Sequence, residues 1–186
     1  MRLIAALAFV FGLTIAAVAT PPVPRPAKEF TFVDTAGKQT LLTSLKGKVV
    51  MIQFLFTWCQ HCQATARDFT TLQKEFGARG LQVMGVAFDD VQARPDLVKN
   101  FVQSNNVGFP VTVATDATVK SYLGITTERY VVPQIMIIDR KGVIRAQSDF
   151  QGTEDLQKPE YLRPLIDRLL KEGAAKTISK ATLPPK

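Results

Sequence analysis

The sequence predicts an α/β domain with a mixed central sheet that helices cover on both faces. Residues 49–56 and 81–88 are apolar runs of strand length, and a stretch with apolar residues at helical spacing follows each of them. Residues 135–138 and 143–146 are predicted to form a hairpin around the turn 139–142, before a last helix. Because strands that alternate with helices pair in parallel and a hairpin adds antiparallel pairs, we expect one mixed sheet.

The domain should begin with an amino-terminal β-hairpin. Residues 34–38 contain Asp, Gly and Lys between two short stretches that favour strands, which is typical of a turn. Gly77 and Gly80 follow the first helix and are expected to end it. In chain order, the predicted strands are residues 30–33, 39–42, 49–56, 81–88, 111–113, 135–138 and 143–146, and the predicted helices are residues 63–76, 96–104, 117–123 and 160–171.

Residues 1–19 have the pattern of a secretory signal peptide. Arg2 gives a charged start, residues 3–18 are apolar, and small residues stand just before Thr20. The alternative is a retained membrane anchor, for which the apolar run is slightly short. Both interpretations predict an exported domain, located in the periplasm if the cell is Gram-negative or held at the membrane by residues 3–18 and facing outward.

The rest of the chain divides into a spacer, one domain and a tail. Residues 20–29 are dense in proline and should form an extended, semi-rigid linker. Residues 30–172 are enough for one domain with a two-layer core. Residues 173–186 mix Ala, Lys, Thr and Pro without periodicity, which is typical of a disordered tail.

The chain is basic, with 23 Lys and Arg against 16 Asp and Glu and a net charge of +7 among 186 residues. It has no nucleic-acid motif and no basic stripe interleaved with aromatic residues, so we expect a solvated basic surface and no nucleic-acid partner. Attraction to anionic lipid or to an acidic partner stays open.

Both cysteines of the chain lie in one short motif, Trp58-Cys59-Gln60-His61-Cys62, between a buried strand and a helix. In the first turn of that helix, free backbone N–H groups and the helix dipole would favour the thiolate of Cys59, which makes it the predicted nucleophile. Cys62 falls on the same helix face within disulfide range and is the predicted, more buried, resolving thiol.

Thiol–disulfide exchange explains this pair better than metal binding or a structural bridge. A zinc site would need two more ligands, and the chain's single histidine, His61, lies inside the pair. A structural disulfide between Cys59 and Cys62 would constrain the unfolded chain very little. We therefore expect no cofactor beyond that redox-active disulfide, substrates that are protein thiols or disulfides, and a membrane redox partner that recycles the pair.

Val132 and Pro133 stand immediately before the strand 135–138. Proline is tolerated at the start of a strand because it need not donate to the ladder there. A cis bond is the alternative; its turn would leave the backbone of Val132 beside the cysteines, ready to pair with a substrate strand. The residues alone leave both interpretations open.

Taken together, these blocks resemble the TlpA-like branch of the thioredoxin superfamily, which is related to the redoxin and AhpC/TSA proteins. The blocks that carry the resemblance are residues 32–38 (FVDTAGK), 45–50 (LKGKVV), 54–62 (FLFTWCQHC), 109–111 (FPV), 122–125 (YLGI), 132–133 (VP) and 138–144 (IDRKGVI).

The resemblance implies a thioredoxin-like fold with an extra strand and helix inserted between the motif helix and the proline loop. It also implies a cis Pro133 that faces the Cys59 and Cys62 sulfurs. Proteins of this kind are exported thiol-disulfide oxidoreductases, and several of them reduce apocytochrome c or copper-centre proteins. A TlpA-like reductant is therefore the expected function.

This sequence departs from the family pattern at three positions near the cysteines. Gln53 stands where cytosolic thioredoxins have a buried aspartate that helps to deprotonate the second cysteine. Thr65 and Arg67 replace a glutamate and a proline that many TlpA-like proteins carry. Without these acids the proton of Cys62 must pass to water or to a substrate group, which is expected to slow the resolving step.

The direction of electron flow has a second interpretation. His61 before the second cysteine and Val132 before the proline resemble DsbA, a bacterial disulfide oxidant. His61 would favour the Cys59 thiolate and make the disulfide more oxidising, unless it is an exposed bystander. We expect Trp58, Gln60, His61 and Pro133 to support the cysteines.

A substrate is expected to lie on an apolar rim of Phe56, Trp58, Tyr130 and Val132, although each of these could be ordinary core. Two other functions stay open. A peroxiredoxin-like peroxidase would need Thr or Ser where Phe56 stands, and a copper(I) chaperone would bind the metal through the Cys59 and Cys62 thiolates alone.

Overall fold

The computed structural model describes residues 20–34, 36–88 and 94–174, with the backbone alone for residues 173–174. Within those ranges no helix is long and apolar enough to cross a membrane. The predicted signal peptide or anchor, residues 1–19, and residues 175–186 of the predicted tail lie outside the described residues.

The elements follow the predicted order, with one strand added at the start. The strands are β1 (Arg25–Pro26), β2 (Thr31–Val33), β3 (Gln39–Leu41), β4 (Val49–Leu55), β5 (Leu81–Ala87), β6 (Val111–Val113), β7 (Gln134–Ile138) and β8 (Val143–Gln147). The helices are α1 (Gln60–Phe76), α2 (Pro95–Ser104), α3 (Asp116–Leu123) and α4 (Pro159–Ala174), and short 3-10 turns span Leu42–Leu45, Gly77–Arg79 and Glu154–Gln157.

The central sheet has six strands in the order β1-β8-β7-β4-β5-β6. β5 is parallel to both β4 and β6, whereas the β4–β7, β7–β8 and β1–β8 pairs are antiparallel. The sheet is therefore mixed, as the sequence predicts. β6 and α2 are inserted between β5 and α3, where the family resemblance implies an extra strand and helix.

β4 lies in the middle of the sheet and is buried along its whole length, which explains its unbroken apolar sequence. Because side chains alternate along a strand, Met51 and Leu55 pack with α1, α2 and α4, while Ile52 and Phe54 pack with α3 and the hairpin. Helices cover both faces, and the predicted fold class is confirmed.

The amino-terminal hairpin, β2 and β3, forms a separate two-stranded sheet. Phe32 of this hairpin is buried in the cluster that includes α3. The backbone N–H of Val33 donates to the Thr112 hydroxyl at 2.9 Å, which ties the hairpin to β6 at the edge of the central sheet.

Residues 20–29, predicted to be an extended linker, make contacts with the domain. Arg25 and Pro26 pair with Ile144 and Val143 of β8 as the edge strand β1. The Arg25 guanidinium donates to the carbonyl of Pro21 at 3.1 Å and to the side chain of Gln147. An edge strand tolerates proline, since the missing N–H would face solvent.

Candidate active site

The cysteine motif lies where the central strand turns into its helix. β4 ends at Leu55, and α1 begins at Gln60. Cys59 is the N-cap residue, one position before the helical turn in which the sequence places it, and its extended backbone lets the sulfur accept the backbone N–H of Cys62 at 3.2 Å. The sulfur thus satisfies one of the donors that a helix start leaves free.

The surroundings of Cys59 favour its thiolate and lower its pKa to about 6. The largest cause is a hydrogen bond from the Cys62 thiol. Partial burial opposes it, whereas the backbone N–H groups of Cys62 and His61 and the charge of the His61 ring act in the same direction. A cysteine with this pKa is mostly thiolate at neutral pH.

Cys62 has the opposite environment. Its side chain is fully buried, and this burial raises the pKa of its thiol, as do the hydrogen bond to Cys59 and the negative charge there. Both cysteines are free thiols in the structure. The Cys59 sulfur is therefore ready to attack as a thiolate, while the Cys62 thiol stays protonated and donates a hydrogen bond to it.

Gln53 of β4 lies directly beneath Cys62. It is fully buried, and its Nε2 donates to the Cys62 carbonyl at 2.9 Å. Its Oε1 is buried and has no hydrogen-bond partner among the described residues. Thr65 is buried as well, and Arg67 donates to Asn105 at 2.7 Å. Because Gln, Thr and Arg have no carboxyl group, none of the three departures from the family pattern supplies an acid near Cys62.

Pro133 comes from the other side of the site. The Val132–Pro133 peptide bond is cis, and the Val132 carbonyl oxygen lies 3.9 Å from the Cys59 sulfur. Val131 has both backbone groups engaged, by the Phe150 carbonyl and the Gln134 side chain. In the described part of the chain no group accepts the N–H of Val132, which leaves this donor available beside the sulfur.

The predicted apolar rim divides into an outer and an inner part. Trp58 is 60% exposed and stacks on Phe56 with ring centroids 5.4 Å apart. Tyr130 is turned inward: its hydroxyl donates to Asp116, and its ring stacks on Phe88 with centroids 5.8 Å apart. Trp58 is thus the aromatic side chain of this rim that is most open to a substrate.

A charged groove beside the cysteines is not anticipated by the sequence. His61 and Val132 line it together with Glu154 and Gln157 of the 3-10 turn Glu154–Gln157 and with Lys158, which follows that turn. Lys158 lies 3.4 Å from Glu154. These residues follow Cys62 by more than ninety positions and carry no local motif, so only the folded chain reveals them.

Across the described residues, no group of three or more His, Cys, Asp or Glu side chains is placed to hold a metal ion. Copper(I) could be bound there only by Cys59 and Cys62, as the sequence indicates, together with a group from a partner. Phe56 stands where a peroxidase needs a hydroxyl and packs between Trp58 and Phe88, so it offers no polar group to a peroxide.

Comparison with known proteins places the chain among thiol-disulfide oxidoreductases. The AhpC/TSA family profile matches residues 23–147. Thiol-disulfide oxidoreductase ResA of Bacillus thuringiensis is 26% identical over 141 residues, 76% of this chain and 77% of ResA. Thiol:disulfide interchange protein DsbE of Pseudomonas aeruginosa is 28% identical over 155 residues, 82% of this chain and 79% of DsbE.

The fold agrees with this placement. A crystal structure of a thiol:disulfide interchange protein of the thioredoxin family from Chlorobium tepidum superposes with a TM-score of 0.66 at 25% identity, covering 81% of this chain and 99% of that one. The residues that the family profile matches include the cysteine motif, Gln53 and the Val132–Pro133 turn. The chain belongs to the AhpC/TSA family, and it is a TlpA-like thiol-disulfide oxidoreductase of the thioredoxin superfamily.

Proposed function

We propose that the protein is an exported reductant that reduces disulfides of protein substrates through Cys59 and Cys62, in the maturation of c-type cytochromes or of copper-centre proteins. One observation carries the proposal: the partly exposed Cys59 sulfur caps α1 and accepts the backbone N–H of Cys62 at 3.2 Å, whereas the Cys62 thiol is fully buried, and these environments lower the pKa of Cys59 and raise that of Cys62. Such a difference separates an attacking from a resolving sulfur.

The first step is attack by the Cys59 thiolate on one sulfur of a substrate disulfide. A bond forms between the two sulfurs while the substrate S–S bond breaks, and its electron pair leaves on the second substrate sulfur, which takes a proton from solvent. The free N–H of Val132 supports a substrate strand that pairs beside the sulfur. Trp58 then covers the apolar part of that strand.

The second step is attack by Cys62 on the Cys59 sulfur of the mixed disulfide. The Cys62 thiol gives its proton to water or to a substrate group, the bond between Cys59 and the substrate sulfur breaks as the Cys59–Cys62 disulfide forms, and the reduced substrate leaves as a thiolate. The protein has then given up two electrons. A dithiol partner, which we place in the membrane, must restore the pair.

The size of the Cys59 pKa shift favours the reducing direction. A pKa of about 6 lies closer to that of thioredoxin, about 7, than to that of DsbA, about 3.5. Because a lower pKa of this cysteine makes the disulfide more oxidising, we expect a reduction potential closer to that of thioredoxin, about −270 mV, than to that of DsbA, about −120 mV.

The test is the reduction potential of the purified pair, measured by equilibration with a glutathione buffer. A value near that of thioredoxin supports the reductant, whereas one near that of DsbA, about −120 mV, would make the protein an oxidant. The His61→Pro variant should have a more negative potential, because it removes a charge that stabilises the Cys59 thiolate. An unchanged potential would mark His61 as a bystander.

A further inference from the structure

A second groove lies at the end of the sheet opposite the cysteines. It opens between β1, the 3-10 turn at residues 42–45, the start of β4 and the β7–β8 turn. Cys59 follows the carboxyl end of β4, whereas Val50 near its amino end forms part of the groove floor. The two sites therefore stand at opposite ends of the same central strand.

The groove combines an apolar floor with a cationic rim. Leu42, Leu45, Val50 and Ile138 form the floor. The side chains of three lysines from three separate segments line the rim, namely Lys28, Lys46 and Lys141.

Two further cations extend the rim. The backbone N–H of Gly47 donates to the Arg140 carbonyl at 2.9 Å, and the Arg140 guanidinium donates to the Gly47 carbonyl at 2.7 Å. These bonds bring Lys48 and Arg140 to the same end of the sheet. We call Lys28, Lys46, Lys48, Arg140 and Lys141 the basic end. In the part of the chain that the structure describes, no carboxylate forms an ion pair with any of these five residues.

Two carboxylates stand at the basic end, Asp139 in the groove lining and Glu29 next to Lys28 in the chain. Asp139 accepts the backbone N–H groups of Lys141 and Val143 and pairs with Arg145 at 3.0 Å. Glu29 accepts the Thr43 hydroxyl and backbone N–H groups. Glu29 keeps its negative charge because these donors are neutral, but the exposed lysines of the basic end outnumber it, while the Arg140 guanidinium is held by the Gly47 and Arg79 carbonyls.

This combination fits the surface of an anionic bilayer. Lysine and arginine side chains bind headgroup phosphates, and an apolar floor suits the glycerol and first acyl carbons. The residues outside the structure agree, since the apolar run 3–18 precedes Thr20 and β1 runs from there toward the groove.

We propose that the basic end binds the phosphates of anionic phospholipids at the membrane surface. This inference rests on the proposed export. The seven residues of β4 separate the two ends by about 20 Å, at about 3.3 Å per residue. The bound domain thus turns Cys59 and Cys62 away from the lipid, toward soluble domains.

The test measures acylation of individual lysines by an amine reagent, with the full chain in vesicles of phosphatidylcholine alone or with about 30% phosphatidylglycerol. Mass spectrometry follows Lys46 and Lys141, with exposed Lys99 on α2 as an internal control. We expect anionic lipid to slow the first two reactions about fivefold or more and to leave Lys99 unchanged. The protection should vanish near 1 M salt, where the Debye length falls to about 3 Å.

A pair of matched variants gives a second measurement. Lys46→Glu/Lys141→Glu should lose about twenty-fold or more in partitioning between phosphatidylglycerol and phosphatidylcholine vesicles. The control Lys99→Glu/Arg129→Glu makes the same change of net charge at exposed sites outside the basic end and should keep the preference. The proposal would be overturned if Lys46 and Lys141 were acylated at the same rate in both kinds of vesicle, or if both double variants lost the preference for phosphatidylglycerol equally.

Turnover of a soluble disulfide, measured on the same preparations, separates this inference from the proposed function. If turnover persists without a lipid effect, only the lipid site is wrong. If the lipid effect persists without turnover, only the oxidoreductase role of Cys59 and Cys62 is wrong. Salt-sensitive binding to an acidic protein without any lipid preference would also reject the lipid as the occupant.

Discussion

At the scale of single residues, the two cysteines differ strongly in burial although they are close together in the chain. Cys59 caps α1 and is partly exposed, whereas Cys62 is fully buried above Gln53. Cys59→Ser should therefore abolish reduction of a disulfide substrate, since the nucleophile is lost. Cys62→Ser should still attack, but it cannot resolve, so a mixed disulfide should accumulate on nonreducing gels. Full turnover by Cys59→Ser, or no trapped species with Cys62→Ser, would contradict these roles.

Gln53 supplies the second prediction at this scale. A glutamine cannot take the Cys62 proton, but the carboxyl group that a Gln53→Glu variant introduces would be buried, with its pKa raised toward neutrality. We expect release of a thionitrobenzoate mixed disulfide from Cys59 to become about tenfold faster or more. Stopped-flow absorbance measures this rate. Gln53→Leu also loses the hydrogen bond to the Cys62 carbonyl but gains no acid, so it should show no acceleration; an equal gain in both variants would refute the proton-transfer explanation.

At the scale of elements, local sequence signals predict what is set locally. β4 and α1 follow from an apolar run and from helical spacing, and they bring the cysteine motif to its place. β1 does not follow from such signals, because its prolines are typical of a spacer and its partners in β8 lie more than a hundred residues away. The groove of His61, Glu154 and Lys158 escapes prediction for the same reason, since it depends on tertiary contacts alone.

A variant of Arg25 tests how strongly β1 is held on the edge of the central sheet. Its guanidinium bonds to Pro21 and Gln147 hold the amino-terminal segment on the sheet edge. Arg25→Ala should lower the free energy of unfolding by about 1 kcal/mol and the melting temperature by about 2–4 °C. It should also speed proteolysis within residues 20–28. Arg94→Ala, which removes an exposed ion pair with Asp96, should change stability very little and serves as the control.

At the scale of the whole molecule, the environment of Cys59 links the redox state to folding stability. The folded state lowers the pKa of Cys59 from 9.0 to about 6. A group with a lowered pKa adds stability that is complete above its unfolded pKa and is lost as the pH falls through the folded value. The reduced protein should therefore become more stable, relative to the oxidised protein, as the pH rises from about 6 to about 8.

Denaturant unfolding of both redox forms across that range measures the difference, and groups common to both forms cancel. Cys62 disturbs this window little, because its folded pKa is raised and its unfolded thiol, with an ordinary pKa of 9.0, stays mostly protonated up to about pH 8. Above that pH, Cys62 should reverse the trend, since the unfolded chain then loses a proton that the folded chain retains. The difference between Cys59→Ala and the oxidised wild-type protein should show no rise between pH 6 and 8. A rise of the same size in this variant would mean that another group, and not the Cys59 thiolate, couples redox state to folding.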